Sequence, residues 1–238
     1  MAKQRLVRRA PSGDVLRLEW EGAAPGSEVV GVRFAGGNYG RGFQIHPLGA
    51  HDAAVERFVQ GARTSRLVVG RHEVKVSVAP DDSSTTATLI GRHHELMTVF
   101  TGPAPATGRI VDIFGVLDID DAPQGMRVTP ARSTLLSVLN EHLVVFAEDF
   151  VSMDMPGPAH AHRVVPRHRG NRTRRGNEVW KSTFPGRGRG RGRARDFAYI
   201  VGGRSGVAEV VASDVDATTD AAVLAMVDSL DVAWSPGS

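Results

Sequence analysis

Hydrophobic and polar residues alternate over much of the chain, which is the pattern of strands with one buried face. The clearest example is 15–20, where Leu16, Leu18 and Trp20 share one face. Lys75 and Ser77 fall between three valines, so the predicted sheet has a wet side, which favours antiparallel pairing. Further strands are predicted over 30–34, 43–45, 67–69, 74–78, 86–90, 96–100, 110–119, 197–201, 207–211 and 232–234.

Helical spacing of apolar residues appears in three segments, over about 52–62, 129–143 and 218–230. Thr129 followed by Pro130 is typical of an N-cap and a first helical position. We therefore predict an α+β fold, in which an antiparallel sheet is packed by about three helices and carries a long Arg/Gly-rich loop. We expect no internal repeat.

The predicted organisation has four parts along the chain. They are a basic N-terminal arm (1–14), an α+β core (15–155), a basic flexible loop (156–195) and a C-terminal β-β-α segment (196–238) that completes the core. The loop is predicted to be flexible because it has too few apolar residues to offset the entropy of ordering.

The amino-acid composition excludes several classes of protein and of functional site. With 238 residues, 41% of them hydrophobic, the chain can bury a sizeable core. It contains no cysteine, which excludes disulfide frameworks, thiolate zinc sites and cysteine nucleophiles. No apolar run approaches the roughly 20 residues that span a bilayer, and the charged start is unlike a secretory signal. We expect a cytoplasmic protein without a membrane span.

The closing section consists of Phe197-Ala-Tyr-Ile-Val, Val207-Ala-Glu-Val-Val-Ala and Ala222-Val-Leu-Ala-Met-Val-Asp-Ser-Leu. These roughly forty residues resemble the end of the PsbP-like family of small α/β sandwich domains. The resemblance implies an antiparallel sheet with helices against it. It also implies an accessory, assembly or secretion-associated role without catalysis, and it transfers no catalytic motif to this chain.

Positive charge is concentrated in residues 163–195, which hold twelve Arg and Lys against one acid, Glu178. Since the chain has 29 basic and 26 acidic residues in all, the rest of it is acidic. Alternating arginine and glycine over 186–195 is similar to the tracts of RNA-binding tails, in which guanidinium groups reach successive phosphates. We predict that this segment binds an acidic protein surface or a nucleic acid. The predicted partner-binding residues are Arg167, Arg169, Arg172, Arg174, Arg175, Trp180, Arg187, Arg189, Arg191, Arg193 and Arg195, with Trp180 and Phe184 as base-stacking residues.

Histidines and acids supply an alternative, a metal-dependent hydrolase. His160, His162 and His168 are close enough in sequence to form a ligand set. Carboxylates over 112–121 would complete it, since Asp112, Asp118 and Asp120 share one parity of a predicted strand, with Asp121 beside them. His93-His94-Glu95 does not complete a zinc-protease motif, because position 98 is Thr98 and the region is predicted to be a strand.

Motifs for catalysis are otherwise absent from the sequence. No lysine follows a glycine, which excludes a phosphate-binding P-loop, and Gly202-Gly203-Arg204-Ser205-Gly206 does not complete a nucleophile elbow. The favoured function is a non-catalytic binding or assembly protein that needs no cofactor. A virion, a secretion apparatus or a nucleic-acid assembly is the expected setting, and association with further copies of the chain is one expected mode.

Overall fold

The computed structural model of the protein describes residues 2–131, 135–148, 151–183, 194–212 and 217–237. Strands provide most of the regular structure among these residues, and they pair in antiparallel fashion. Helices are few and short. The predicted α+β fold, with about three helices packing a sheet, is therefore wrong, and the protein is mainly β.

The elements of the described residues are numbered in chain order. The strands are β1 (Lys3–Arg9), β2 (Val15–Glu21), β3 (Pro25–Gly36), β4 (Tyr39–Pro47), β5 (Arg63–Val69), β6 (His72–Val78), β7 (Ser84–Ile90), β8 (His94–Thr101), β9 (Leu117–Ala122), β10 (Gly125–Pro130), β11 (Ser137–Ala147), β12 (Val151–Pro156), β13 (Asn171–Arg172), β14 (Glu178–Thr183), β15 (Phe197–Gly202), β16 (Val207–Ala212) and β17 (Asp231–Ser235). The helices are α1 (Ala50–Phe58), α2 (Thr107–Gly115), α3 (Pro158–Ala161) and α4 (Ala217–Ser229).

The chain divides into two compact units. Unit 1 comprises Met1–Ala10, Asp14–Val29 and Glu141–Ser238, and unit 2 comprises Pro11–Gly13 and Val30–Asn140. The long strands β3 and β11 contribute residues to both units.

Unit 2 is built on the strand order β3-β4-β8-β7-β6-β5. One face of this sheet forms an apolar core that contains Phe34, Phe43 and Leu96. Phe114 of α2 and Met126 of β10 are buried in the same core. Helix α2 and the β9–β10 hairpin therefore supply the second layer of unit 2.

Unit 1 contains the strand order β13-β14-β15-β16-β12-β11 and a separate sheet with the order β1-β2-β17. Trp20 of β2, Met153 of β12 and Val223 and Met226 of α4 are all buried. The alternation predicted over 15–20 and the apolar stripe predicted for the last helix are confirmed.

The N-terminal residues belong to this second sheet. Strand β1 pairs with β2 along its whole length, from Lys3 opposite Glu21 to Arg9 opposite Val15, and Leu6 is buried. Half of the predicted basic arm, Lys3–Arg9, is therefore a strand of the fold.

The same order of elements occurs twice along the chain, contrary to the expectation of no repeat. The first repeat (15–122) runs β2, the β3–β4 hairpin, α1, four strands (β5 to β8), α2 and β9. The second repeat (125–235) runs β10, the β11–β12 hairpin, α3, four strands (β13 to β16), α4 and β17. In each repeat the second hairpin strand pairs with the last of the four strands, β4 with β8 and β12 with β16.

Two segments form a different secondary-structure element from the one that their sequence pattern predicts. The predicted helix over 129–143 is instead the end of β10 and the start of β11. In β11 the buried positions alternate through Leu143, Val145 and Ala147, whereas Leu135 is 94% exposed. Leucines close together in sequence imitated a helical stripe, but burial follows the two-residue period of a strand.

The reverse error concerns 110–119. The segment was predicted as one strand, but it forms α2 followed by β9. Ile110, Ile113 and Phe114 are buried at helical spacing. Their β-branched and aromatic character favours strands, and tertiary packing overrides that preference here.

Buried polar side chains attach α1 to the sheet of unit 2. The His51 ring lies 2.9 Å from the Ser77 hydroxyl and 2.8 Å from the Thr88 hydroxyl. The Glu95 carboxylate accepts hydrogen bonds from the backbone N–H groups of Gly49 (2.8 Å) and His51 (2.7 Å). Glu95 thus satisfies donors at the start of the helix that have no partner within it.

Burial lowers the pKa of His51, so the ring is neutral near pH 7. The unfolded chain therefore takes up a proton first as the pH falls. We expect the contribution of His51 to the unfolding free energy to be constant above about pH 6.5 and to decrease below it by up to about 1.4 kcal/mol per pH unit. Urea unfolding between about pH 5 and pH 8 measures this dependence.

His51→Gln removes the titrating ring, so the buried hydroxyls of Ser77 and Thr88 lose a hydrogen-bond partner. We expect a loss of about 2–3 kcal/mol at pH 8 and a weaker pH dependence. His93→Gln, which changes a histidine of unit 2 outside the network, serves as the control. An unchanged pH dependence in His51→Gln would show that the ring does not control acid stability.

Candidate functional site

The arginine-rich segment is described by the structure over 163–183 and at 194–195. Four of the predicted partner-binding arginines, Arg187, Arg189, Arg191 and Arg193, lie outside the described residues, as do Phe184 and the side chain of Arg195. The remaining predicted residues follow α3 and continue through β13 into β14. Part of the predicted flexible loop is thus regular structure.

Three arginines between α3 and β13 are exposed: Arg163, Arg167 and Arg169. Among the residues that the structure describes, none of the three guanidinium groups has a hydrogen bond or an ion pair. Three guanidinium groups within seven residues, without nearby compensation, form a local positive surface. We call Arg163, Arg167 and Arg169 the open arginines.

Trp180 supports this segment from inside unit 1. Its indole Nε1 donates to the His168 carbonyl oxygen at 2.7 Å, and only 6% of the residue is exposed. Gly170 lies against the ring, so close that a Cβ there would come within 2.9 Å of an indole carbon. The predicted base-stacking role of Trp180 is therefore wrong, because the ring is a buried anchor for the segment.

The other three described arginines bind groups within unit 1. Arg172 Nη1 donates to the Gly176 carbonyl at 2.8 Å. Arg174 bonds Asp228 of α4 through its backbone N–H (2.8 Å) and through its guanidinium.

Arg175 lies 3.6 Å from Glu19 of β2. Lys3, whose Nζ is 2.9 Å from the same carboxylate, and Arg175 lower the pKa of Glu19. Arg174 and Arg175 are thus partly neutralised by acids of their own unit, which reduces their capacity to bind a separate anion.

The three predicted metal-binding histidines follow one another around α3, but they do not form a site. His162 and His168 are exposed, whereas the His160 Nδ1 atom is buried and has no hydrogen-bond partner in the described residues. Burial and the charge of Arg163 lower the pKa of His160. The described ranges contain no group of three or more His, Asp or Glu that could hold a metal ion. No observation therefore favours the hydrolase.

The four predicted metal-binding carboxylates do not share one strand face. Asp112 lies on α2, and Asp118 and Asp120 are exposed on β9. Asp121 accepts hydrogen bonds from the backbone N–H groups of His93 (2.6 Å) and His94 (3.1 Å) and contacts the His94 ring at 2.7 Å.

Burial alone would raise the pKa of Asp121, but these hydrogen bonds hold it below its ordinary value. Asp121 therefore fixes the start of β8 to the end of β9 and has a structural role.

A pair of acids that the sequence reading missed lies within unit 1. Asp154 of β12 is directly opposite Glu209 of β16 in the register. One oxygen of Asp154 is buried and has no hydrogen-bond partner in the described part of the chain. Burial raises the pKa of both acids, and the charge of Asp154 raises that of Glu209 further, whereas His142 acts in the opposite direction on Asp154. The sequence signal that could have revealed the pair is an acid flanked by apolar residues on both sides, which occurs at 153–155 and again at 208–210.

Asp154→Asn tests whether this pair costs stability when it is ionised. The native pKa values lie above the unfolded ones, so the folded state is favoured below about pH 4 and loses stability as the pH rises. We expect Asp154→Asn to raise the unfolding free energy by about 1 kcal/mol at pH 7 and by much less near about pH 4. Asp118→Asn, at an exposed carboxylate, is the control in urea unfolding. A destabilised Asp154→Asn at pH 7 would contradict repulsion between the acids.

None of the helices in the described ranges has the length and apolar character needed to cross a bilayer. Comparison of the chain with protein-family models, with curated proteins and with solved structures found no match. The PsbP-like resemblance of the C-terminal residues stays a prediction. The arrangement of arginines in unit 1, rather than likeness to a known protein, is the basis of the functional proposal.

Proposed function

We propose that the protein is a non-catalytic binding protein that engages an anionic partner through its arginine-rich segment, 163–195. The observation that carries the proposal is the set of open arginines. They are exposed and follow one another within seven residues. Further arginines follow in the sequence at 187–195. A partner that supplies carboxylates or phosphates would form charge-assisted bidentate hydrogen bonds with such groups.

An acidic protein surface fits the segment better than a nucleic acid does. Binding of single-stranded nucleic acid commonly adds stacking of bases on aromatic rings to phosphate contacts. Trp180, the aromatic side chain nearest to the open arginines in sequence, is buried against Gly170. The described part of the segment thus offers charge without a stacking platform. Because the rest of the chain is acidic, it would repel the same partner elsewhere and so orient it.

The non-catalytic part of the proposal is supported by the polar network around His51. Ser77 and His51 are at the distance of a nucleophile and its general base, 2.9 Å. Both residues are only 1% exposed, so a substrate has no access to them. The proposal includes action in the cytoplasm as an accessory or assembly factor, with virion or secretion assemblies as settings and with association between copies.

The open arginines are tested by a triple variant, Arg163→Gln/Arg167→Gln/Arg169→Gln. A labelled poly-glutamate peptide and a labelled single-stranded oligonucleotide serve as probes in fluorescence anisotropy with the full chain. We expect the variant to bind the peptide at least about tenfold more weakly, because each lost charge-assisted contact costs about 1.5–3 kcal/mol at best. Binding by the native chain should decrease steeply between about 50 and 200 mM salt.

The matched control removes the same charge elsewhere, as Arg17→Gln/Arg33→Gln/Arg92→Gln, at three exposed positions. We expect it to retain affinity within about twofold. A second variant that lacks 186–195 measures the contribution of the Arg-Gly tract. Equal loss in the control and the open-arginine variant would mean that net charge alone acts, and the proposed site would be wrong. If the oligonucleotide bound more tightly than the peptide, the inferred partner would be a nucleic acid and not an acidic protein.

A further inference from the structure

Two arginines without an acidic partner meet in a cleft of unit 2. The cleft has a volume of about 430 Å³ and lies between helix α2 and the turn that joins β3 to β4. Arg41 of β4 and Arg109 of α2 line it, together with Asn38, Tyr39 and Asp112. In the part of the chain that the structure describes, no carboxylate is within salt-bridge distance of either guanidinium.

Arg41 is held in place by its neighbours. Its guanidinium carbon lies 4.1 Å from the centre of the Phe100 ring, and Nη1 donates to the Val99 carbonyl at 3.1 Å. The Tyr39 hydroxyl donates to the Ile113 carbonyl at 3.0 Å. Arg41 and Tyr39 thus have positions in the wall that are fixed by contacts made before any ligand binds.

The electrostatics of the cleft favour an anion. Burial lowers the pKa of Arg41, and the positive charge of Arg109 lowers it further. The two guanidinium groups therefore repel each other across the cleft. Tyr39 does not compensate them, because burial raises its pKa to about 12 and keeps the phenol neutral. An anion between the two groups would relieve the repulsion.

We propose that this cleft binds a phosphate monoester of a small molecule. A phosphate dianion offers three oxygens, which two guanidinium groups can contact in bidentate fashion. The volume of about 430 Å³ exceeds the needs of the phosphate alone, and Ile113 and Val116 provide apolar surface for an attached organic group. Asp112 lies in the same wall and weakens binding of a dianion. The site belongs to unit 2 and does not depend on the function proposed for the open arginines.

Isothermal titration calorimetry on the full chain tests the site with three probes: phenyl phosphate, inorganic phosphate and benzenesulfonate. Phenyl phosphate should bind at least about tenfold more tightly than either of the others, because it alone combines a dianion with an organic group. Arg41→Gln or Arg109→Gln should weaken this binding at least about tenfold. Asp112→Asn should strengthen it by about threefold.

Arg33→Gln, at an exposed arginine of unit 2 outside the cleft, is the matched control and should bind phenyl phosphate like the native chain. Arg41 packs on Phe100, so its variant is checked by near-ultraviolet circular dichroism; if that variant does not fold, exposed Arg109→Gln decides. The proposal is overturned if the native chain shows no saturable binding of phenyl phosphate, or if Arg109→Gln binds as tightly as Arg33→Gln. If inorganic phosphate bound as tightly as phenyl phosphate, the inference that the ligand is a phosphate ester would also be wrong.

Discussion

Backbone pairing between the first strand of one repeat and the last strand of the other is the constraint on which the fold depends. Strand β2 pairs with β17 in unit 1, and β10 pairs with β9 in unit 2. Unpaired strand edges expose N–H and C=O groups, so neither repeat can complete its small sheet from its own residues. Strands β9 and β10 are adjacent in sequence, whereas β2 and β17 lie near opposite ends of the chain. Unit 2 can therefore form from local contacts, but unit 1 requires nearly the whole chain.

Each repeat places a buried glutamate where the helix follows the first hairpin. Glu95 accepts hydrogen bonds at the start of α1, and Glu141 is buried against Gly157 at the start of α3. A buried carboxylate is costly unless donors surround it, and the first turn of a helix presents such donors. The glutamates come from different strands, β8 and β11. At the start of α3 the Gly157 N–H donates to the Glu141 backbone carbonyl at 2.9 Å, so the two repeats bond the start of this helix through different groups.

Sequence patterns predicted the strands with one buried face and the last helix, because their spacing is set by local geometry. They did not predict the repeat, since the repeats share an order of elements rather than an obvious series of residues. One trace remains: Pro47-x-x-Ala50-His51 and Pro156-x-x-Ala159-His160 each follow the second hairpin strand. Trp180 was misread because local composition does not reveal that Gly170 leaves space for its ring. The cleft with Arg41 and Arg109 depends on contacts distant in sequence, which spacing does not report.

The charge that a partner encounters on this protein depends on what each charged side chain already contacts within the fold. Residues 163–195 contain twelve basic side chains. Asp228 and Glu19, however, already contact Arg174 and Arg175, and Lys181 lies 3.4 Å from the centre of the Phe197 ring. Such contacts reduce the field that a distant partner experiences, and they order the β13–β14 turn. The same acids thus limit the segment's attraction for anions and fix the frame next to the open arginines. Within the described part of the segment, the exposed arginines with neither an ion pair nor a side-chain hydrogen bond are the open arginines, so binding there is expected to depend on their arrangement as well as on total charge.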